Sequence, residues 1–273
     1  MGGLRYVKGH GTENDFLILP DAGAVATLAP HVVAALCDRH RGLGADGILG
    51  VVATGGDPAW YMDYRNADGS VAEMCGNGIR VFARYLVDAG LAATGGLTID
   101  TFDGIKTLTV PPSGDVTVDM GSFTSLPSAR VSAGGRTWPA IGVSLGNPHL
   151  VVRVEDPGEA GSLRDAPDVE GPDYPAGANV EFVAVRGPGQ LLMRVHERGV
   201  GETRSCGTGA CAAAAAATAW PEAAADRIAV EVPGGRLEVE IRAGNRIHLT
   251  GPARLVAEGE VRADWLDEVR GTR

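Results

Sequence analysis

At 273 residues, 44% hydrophobic and 5% aromatic, the chain has apolar material for one large core or two smaller ones, and its 40 glycines oblige small residues to do much of the packing. A formal net charge of −10 argues against general nucleic-acid affinity, because phosphate binding needs a basic surface. The N-terminus shows no basic-then-apolar leader, Tyr6 stands where myristoylation of Gly2 requires Ser or Thr, and the longest uncharged apolar run, residues 210–220, is too short for a bilayer, so the sequence predicts a cytosolic protein with no membrane partner.

Residues 4–7 read as a strand, residues 8–16 as a polar loop containing Asn14, and residues 17–19 as a second strand stopped by Pro20 and Asp21. A helix is predicted near residues 30–39, with Pro30 suited to its first turn. The glycine-rich segment from Arg41 to Gly47 follows that helix and precedes a strand at 48–52. A dinucleotide fingerprint needs the order strand, glycine loop, helix, so a Rossmann reading fails. Residues 60–64 alternate as a strand. The helix after Cys75 carries Arg80, Arg84 and Asp88 on one stripe, predicted to meet water or a domain boundary, with Val81, Phe82, Tyr85 and Leu86 toward a core. Strands are predicted at 97–101, 105–110 and 116–120, then a crossover at 122–128.

The second half repeats the pattern. Strands are predicted at 129–131, 141–145 and 150–154, the last preceded by Gly146, Asn147, Pro148 and His149. Residues 156–177, rich in Pro, Gly and acid, read as a long surface loop. Strands at 179–183 and 191–195 lead to the second cysteine phrase, and six consecutive alanines, 212–217, form the best of helix formers. A helix so smooth can be enclosed by strands on every side. Pro221 ends it, and strands at 228–232, 236–241, 246–249 and 254–261 complete an α+β pattern.

One phrase occurs twice. Glu73-Met74-Cys75-Gly76-Asn77-Gly78 runs into one helix, and Arg204-Ser205-Cys206-Gly207-Thr208-Gly209 into the other, with the cysteines 131 residues apart. Nine residues before each cysteine stands a polar residue after a strand, Asn66 and Glu197. The repeat predicts an internal duplication with one cysteine from each half. A thiol at a helix N-terminus is ionised more readily, and the glycines let backbone N–H groups approach an anion. Two such thiols facing one carbon from opposite sides would invert a centre next to a carboxylate: one removes the α-proton and the other delivers a proton to the far face. Packing alone would also place cysteines at helix starts, and does so more economically for one copy than for two. Cys37, near His40, and Cys211 read as packed residues. No C-x-x-C pair, zinc ribbon, nucleotide loop or pyridoxal lysine is visible, so no metal and no cofactor is expected.

These phrases, with Arg65 to Ser70, Gly146 to His149, Asn179 to Phe182, Glu197 to Thr203 and Asn14 to Phe16, resemble the diaminopimelate epimerase family from end to end and in the family's order. The resemblance implies a pyridoxal-phosphate-independent isomerase interconverting LL- and meso-2,6-diaminoheptanedioate, for lysine and cell-wall synthesis. It implies two pseudo-symmetric domains, 1–121 (completed by about 255–273) and 122–254. Each would be a curled, mostly antiparallel sheet or barrel around a central helix, with the site in the cleft between them and two copies forming a homodimer. Carried onto matching positions, Cys75 and Cys206 are the acid–base pair, and Gly76, Asn77, Gly207 and Thr208 hold the reacting carboxylate. Glu197 and Arg198 meet the substrate's amino and carboxylate groups, Asn14, Asn66, Asn147 and Asn179 fix the distal amino-acid end, and His149 and Glu197 tune the thiols. Each asparagine also suits a turn. The chain departs from many relatives at Asp46-Gly47, where a Gln follows the Asp, which puts one distal contact in question. Rival readings are a two-thiol proline or hydroxyproline racemase, with a single carboxylate to bind; a phenazine-type isomerase, without the paired cysteines; and a non-catalytic thiol-redox or ligand-binding protein.

Overall fold

The computed structural model describes residues 3–21, 23–72 and 74–271. Met1 and Gly2, at the predicted leaderless N-terminus, and Glu73, which opens the first cysteine phrase, lie outside the described residues. The chain divides into two compact units, Met1–Val118 with Pro252–Arg273, and Asp119–Gly251.

The first unit begins with β1 (Leu4–Gly11) and β2 (Asn14–Leu19). The predicted polar loop is mostly strand: Thr12 and Glu13, with φ of 50° and 62°, make a two-residue turn, and Gly11 pairs with Asn14. Its polar residues are there for an ion cluster. Lys8 and Arg39 both bind the Asp15 carboxylate, at 2.5 and 2.6 Å, and Arg39 also reaches Asp46 at 2.7 Å. Then come α1 (Pro30–Cys37), β3 (Gly47–Ala53), β4 (Trp60–Asn66), α2 (Gly76–Asp88), β5 (Gly95–Ile99), β6 (Lys106–Val110) and β7 (Val116–Ser122), whose last four residues belong to the second unit. Gly90, at φ 70°, follows the end of α2 in the left-handed region that stops helices.

The second unit holds β8 (Thr124–Ala133), β9 (Arg136–Ser144), β10 (Pro148–Arg153), β11 (Asp168–Glu170), β12 (Asn179–Gly187), β13 (Gln190–Glu197), β14 (Gly201–Thr203), α3 (Gly207–Ala217), β15 (Arg227–Val232), β16 (Gly235–Arg242) and β17 (Arg246–Gly251). The chain then returns as β18 (Arg254–Val261) and α4 (Ala263–Gly271), a helix the sequence reading missed. The predicted crossover at 122–128 is largely strand, because β8 starts at Thr124 and pairs with β9 from there.

In the first unit the sheet order is β18-β1-β2-β3-β4, parallel only between β2 and β3. Both faces are covered, which explains the unbroken apolar run of β2. Leu17, Leu19 and Ile48 pack with Leu36 of α1 and Leu266 of α4. By alternation Phe16, Ile18 and Leu49 face the other side, where α2 packs on β1 and β2. The second unit is ordered β11-β8-β9-β10-β12-β13-β15-β16-β17, with β14 on β13, and is parallel at β10–β12 and at β13–β15. Leu150, Val152, Val180 and Phe182 form a core cluster on one face. On the other lies α3, touching β9, β10, β12, β13, β15, β16 and β17, with Ala210 to Ala217 all buried.

The ion cluster gives a pH dependence with a definite sign. Burial pushes the Asp15 carboxyl up, but Arg39 and Lys8 outweigh it and hold it at about 2, below its ordinary 3.8. Its contribution is therefore present above about pH 4 and lost as pH falls toward 2. Asp15→Asn should remove ~1–2 kcal/mol of stability at neutral pH and flatten the loss below pH 4, read by urea denaturation across that range.

Candidate active site

Each unit presents its cysteine in the same local frame. Cys75 is the N-cap of α2 (φ −114°, ψ 120°) and Cys206 the N-cap of α3 (φ −120°, ψ 117°). Each sulfur accepts a hydrogen bond from the amide three residues on, Gly78 N at 3.4 Å and Gly209 N at 3.3 Å. The extended backbone at the cysteine and the glycines behind it leave the first-turn N–H groups uncovered by Cβ atoms, which suits an anion at the helix start.

The registers give the same duplication in three dimensions. In the first unit a parallel pair, Phe16 opposite Gly47, is followed by an antiparallel strand ending at Asn66 and then by the cysteine helix. In the second, His149 opposite Asn179 is followed by a strand ending at Glu197 and its cysteine helix. Asn14 and Asn147 each stand two residues before the first member of the pair, so they are equivalent.

Around Cys75, the thiol donates to Asn14 Oδ1 at 3.5 Å, and Asn77 Nδ2 donates to the same oxygen at 3.3 Å. Asn14 Nδ2 donates to Asp46 Oδ2 at 2.7 Å, so the Asp46 carboxylate fixes which end of the amide faces the thiol. Arg80, expected on a stripe facing water or a boundary, is fully buried. Its Nη1 donates to Gly76 O at 2.9 Å and its Nη2 to Asn77 Oδ1 at 2.9 Å, so the guanidinium braces the helix start from within. Arg84 is half-buried and donates to Pro111 O and Gly114 O. Asn66 donates to Ser70 Oγ at 3.0 Å inside its own turn. Gly47 pairs with Asn66, and a Cβ there would lie 2.6 Å from Arg65 O and 2.8 Å from a Tyr64 ring carbon, so the backbone and the tyrosine fill the space a longer residue needs.

Around Cys206, Sγ lies 3.4 Å from Thr208 Oγ1, and the Glu197 carboxylate is near enough to act on the thiol. Thr203 Oγ1 also donates to Glu197 Oε1. Burial pushes the Glu197 carboxyl up, with Glu181 adding to the shift and Thr203 and Cys206 opposing it. Asn179 Oδ1 accepts from Arg198 N at 2.9 Å, while the Arg198 side chain is exposed. His149 is fully buried, its Nδ1 2.7 Å from Glu181 Oε1 and its Nε2 3.0 Å from Asn147 Oδ1.

The expectation of a readily ionised thiol is overturned at Cys206. Its burial first, and then the Glu197 and Glu181 carboxylates, push the thiol well above its ordinary 9.0, outweighing the Gly209 amide and Thr208. Cys37 is likewise packed, its thiol pushed up to about 12 by burial. Glu181 was not singled out from the sequence as a site residue. Its signal was the alternation of β12, which puts Asn179, Glu181 and Val183 on the α3 face. Among the described residues no cluster of three or more metal-ligating side chains occurs, and no helix is long and apolar enough to cross a membrane.

Comparison with solved structures finds the same α+β fold in a phenazine biosynthesis protein of the PhzF family from Bacillus anthracis. The TM-score is 0.70 at 16% identity, covering 96% of this chain and 100% of that one. A hydroxyproline epimerase from Agrobacterium vitis, solved with trans-4-hydroxy-L-proline, gives a TM-score of 0.70 at 15% identity, covering 96% and 93%. Sequence relatives are closer. The diaminopimelate epimerase of Streptomyces coelicolor is 51% identical, covering 97% of this chain and 98% of the relative, and that of Thermobifida fusca is 50% identical, covering 96% and 100%. A family model described as diaminopimelate epimerase matches residues 6–126 and 141–256. The chain, matched by that model over most of its length and half identical to full-length relatives, belongs to the diaminopimelate epimerase family.

Proposed function

We propose that this chain interconverts LL- and meso-2,6-diaminoheptanedioate with Cys75 and Cys206 as its acid–base pair. The observation that carries the reading is the repeated frame, a cysteine N-cap on the main helix of each unit, in a chain of this family. One sulfur, as thiolate, takes the α-proton. The C–H electron pair moves onto the α-carbon and its carboxylate, and the other sulfur gives its proton to the opposite face. One proton leaves and one arrives, and the two sulfurs exchange roles.

Gly76, Asn77, Gly207 and Thr208 hold the reacting carboxylate through first-turn N–H groups, which gain strength as charge develops there. Arg198 pairs with a carboxylate and Glu197 with an amino group, while Asn14, Asn66, Asn147 and Asn179 take the distal amino-acid end. His149 and Glu197 adjust the thiols. In this reading residues 1–121, completed by about 255–273, and residues 122–254 act as two epimerase domains, each sheet curled about its helix. The chemistry is complete without pyridoxal phosphate, and the protein works in the cytosol as a homodimer. A thiol-redox role is disfavoured, because a redox cysteine needs exposure and ready ionisation, and Cys206 is buried with its thiol pushed up.

The test is incubation of LL-diaminopimelate with the protein in deuterated water. Deuterium should enter the α-position as meso isomer accumulates. Absence of both, with folded protein, would sink the assignment; proline or hydroxyproline turning over instead would favour the racemase reading.

A further inference from the structure

The duplicated frame is broken at one place, and that place lies behind Cys206. The third residue of β3 is Leu49 and the third of β12 is Glu181; the partners opening the parallel pairs are Phe16 and His149. The glycines three residues after the cysteines face these pairs. A Cβ on Gly78 would lie 3.3 Å from Phe16 Cζ and 3.5 Å from Leu49 Cδ2. A Cβ on Gly209 would lie 2.8 Å from Glu181 Oε1 and 3.3 Å from Cys206 Sγ. One position in the fold is thus filled by an apolar pair in the first unit and by a fully buried His–Glu pair in the second.

Packing does not require the polar pair, since the same frame is built with Phe and Leu. Replacing a buried ion pair by well-packed apolar residues is often neutral or stabilising. The polar pair also carries an unmet cost: Glu181 Oε2 is buried with no hydrogen-bond partner. A carboxylate oxygen kept in that condition calls for a role beyond structure. Both ring nitrogens of His149 are engaged, Nε2 with the amide oxygen of Asn147 at 3.0 Å and Nδ1 with Glu181 Oε1 at 2.7 Å, so the ring is held from both ends.

We propose that Glu181 is a positioning residue of the reaction: it fixes His149 with Nε2 toward Asn147 and sets a second carboxylate, beside Glu197, behind the helix start that carries Cys206. The two thiols are thereby made unlike one another, and Cys206 keeps its proton in the free protein. The inference deepens the epimerase reading and rests on it. The groups facing Cys206 are Glu197 on β13, Glu181 on β12 with His149 of β10 behind it, and Thr208 and the Gly209 amide on α3. His196 is turned away, its Nδ1 bonded to Leu163 O.

Two variants test it. Glu181→Gln keeps the shape and removes the charge. The pH midpoint for alkylation of Cys206 by iodoacetamide, followed by mass spectrometry with Cys75 as internal reference, should fall by about one unit, since less negative charge opposes the thiolate. Turnover should fall roughly tenfold with KM nearly unchanged. The double variant His149→Phe with Glu181→Leu installs the first unit's own pair. It should melt within a few degrees of the parent and lose turnover by at least about tenfold, and it keeps the question open to test should Glu181→Gln not fold. An unmoved midpoint in Glu181→Gln, or full turnover in the double variant, overturns the proposal. The alkylation midpoint needs no turnover, so an inactive parent protein would count against the epimerase reading alone.

Discussion

Cys206→Ala should slow conversion of LL- to meso-diaminopimelate by about 10³–10⁴-fold, the upper range for loss of a positioned proton carrier. The loss should fall on kcat rather than KM, because the sulfur is used in the transition state and the carboxylate is held by backbone. Folding should survive. The sulfur accepts one long bond from Gly209 N at 3.3 Å, and loss of an N-cap costs about 1 kcal/mol. The informative measurement is stereochemical. With only Cys75 left as a base, deuterium from solvent should enter the α-position of one stereoisomer alone, and with retention. Cys75→Ala should show the mirror outcome. Inversion at the parental rate by either variant would leave the two-thiol mechanism without support.

Ala213→Leu should destabilise the second unit by about 3 kcal/mol or more, near the upper end for overpacked cores. Ala213 is fully buried in α3, which packs against β9, β10, β12, β13, β15, β16 and β17, so three added carbons have little room in which to relax. The expected signature is a lower urea midpoint at unchanged slope for that unit's transition. Thr218→Leu, just past the end of the helix on an exposed residue, is the control and should move stability by less than about 0.5 kcal/mol. Equal effects from both would mean that α3 is not enclosed.

The parts of this molecule legible in the sequence are those written locally. A strand, a polar turn, a cysteine with two glycines and a helix occupy one short stretch, so their repetition could be read without coordinates. The alanine tract could be read as an enclosed helix because six alanines leave no wider stripe to expose. Arg80 could not. Helical spacing put it with Arg84 and Asp88, whereas its complete burial goes with bonds to the carbonyls of Gly76 and Pro252 and the amide of Asn77. Residues 8–16 look like a loop because the partners of Asp15 and Asn14, Arg39 and Asp46, are distant in sequence. Glu181 is hidden for the same reason: its partner His149 is 32 residues away, and its meaning appears only when the two parallel pairs are laid over one another.

The pairing of β1 with β18 has a consequence for how the protein is made. Leu4 pairs opposite Val261, so β1 waits for a strand that lies beyond the whole of the second unit. At about 5–20 residues per second that delay is tens of seconds, during which one edge of β1 stands open while the whole of the second unit emerges and can already fold. Folding order can therefore run against the numbering: the unit that opens this sequence is completed only after the whole of the second unit has been made.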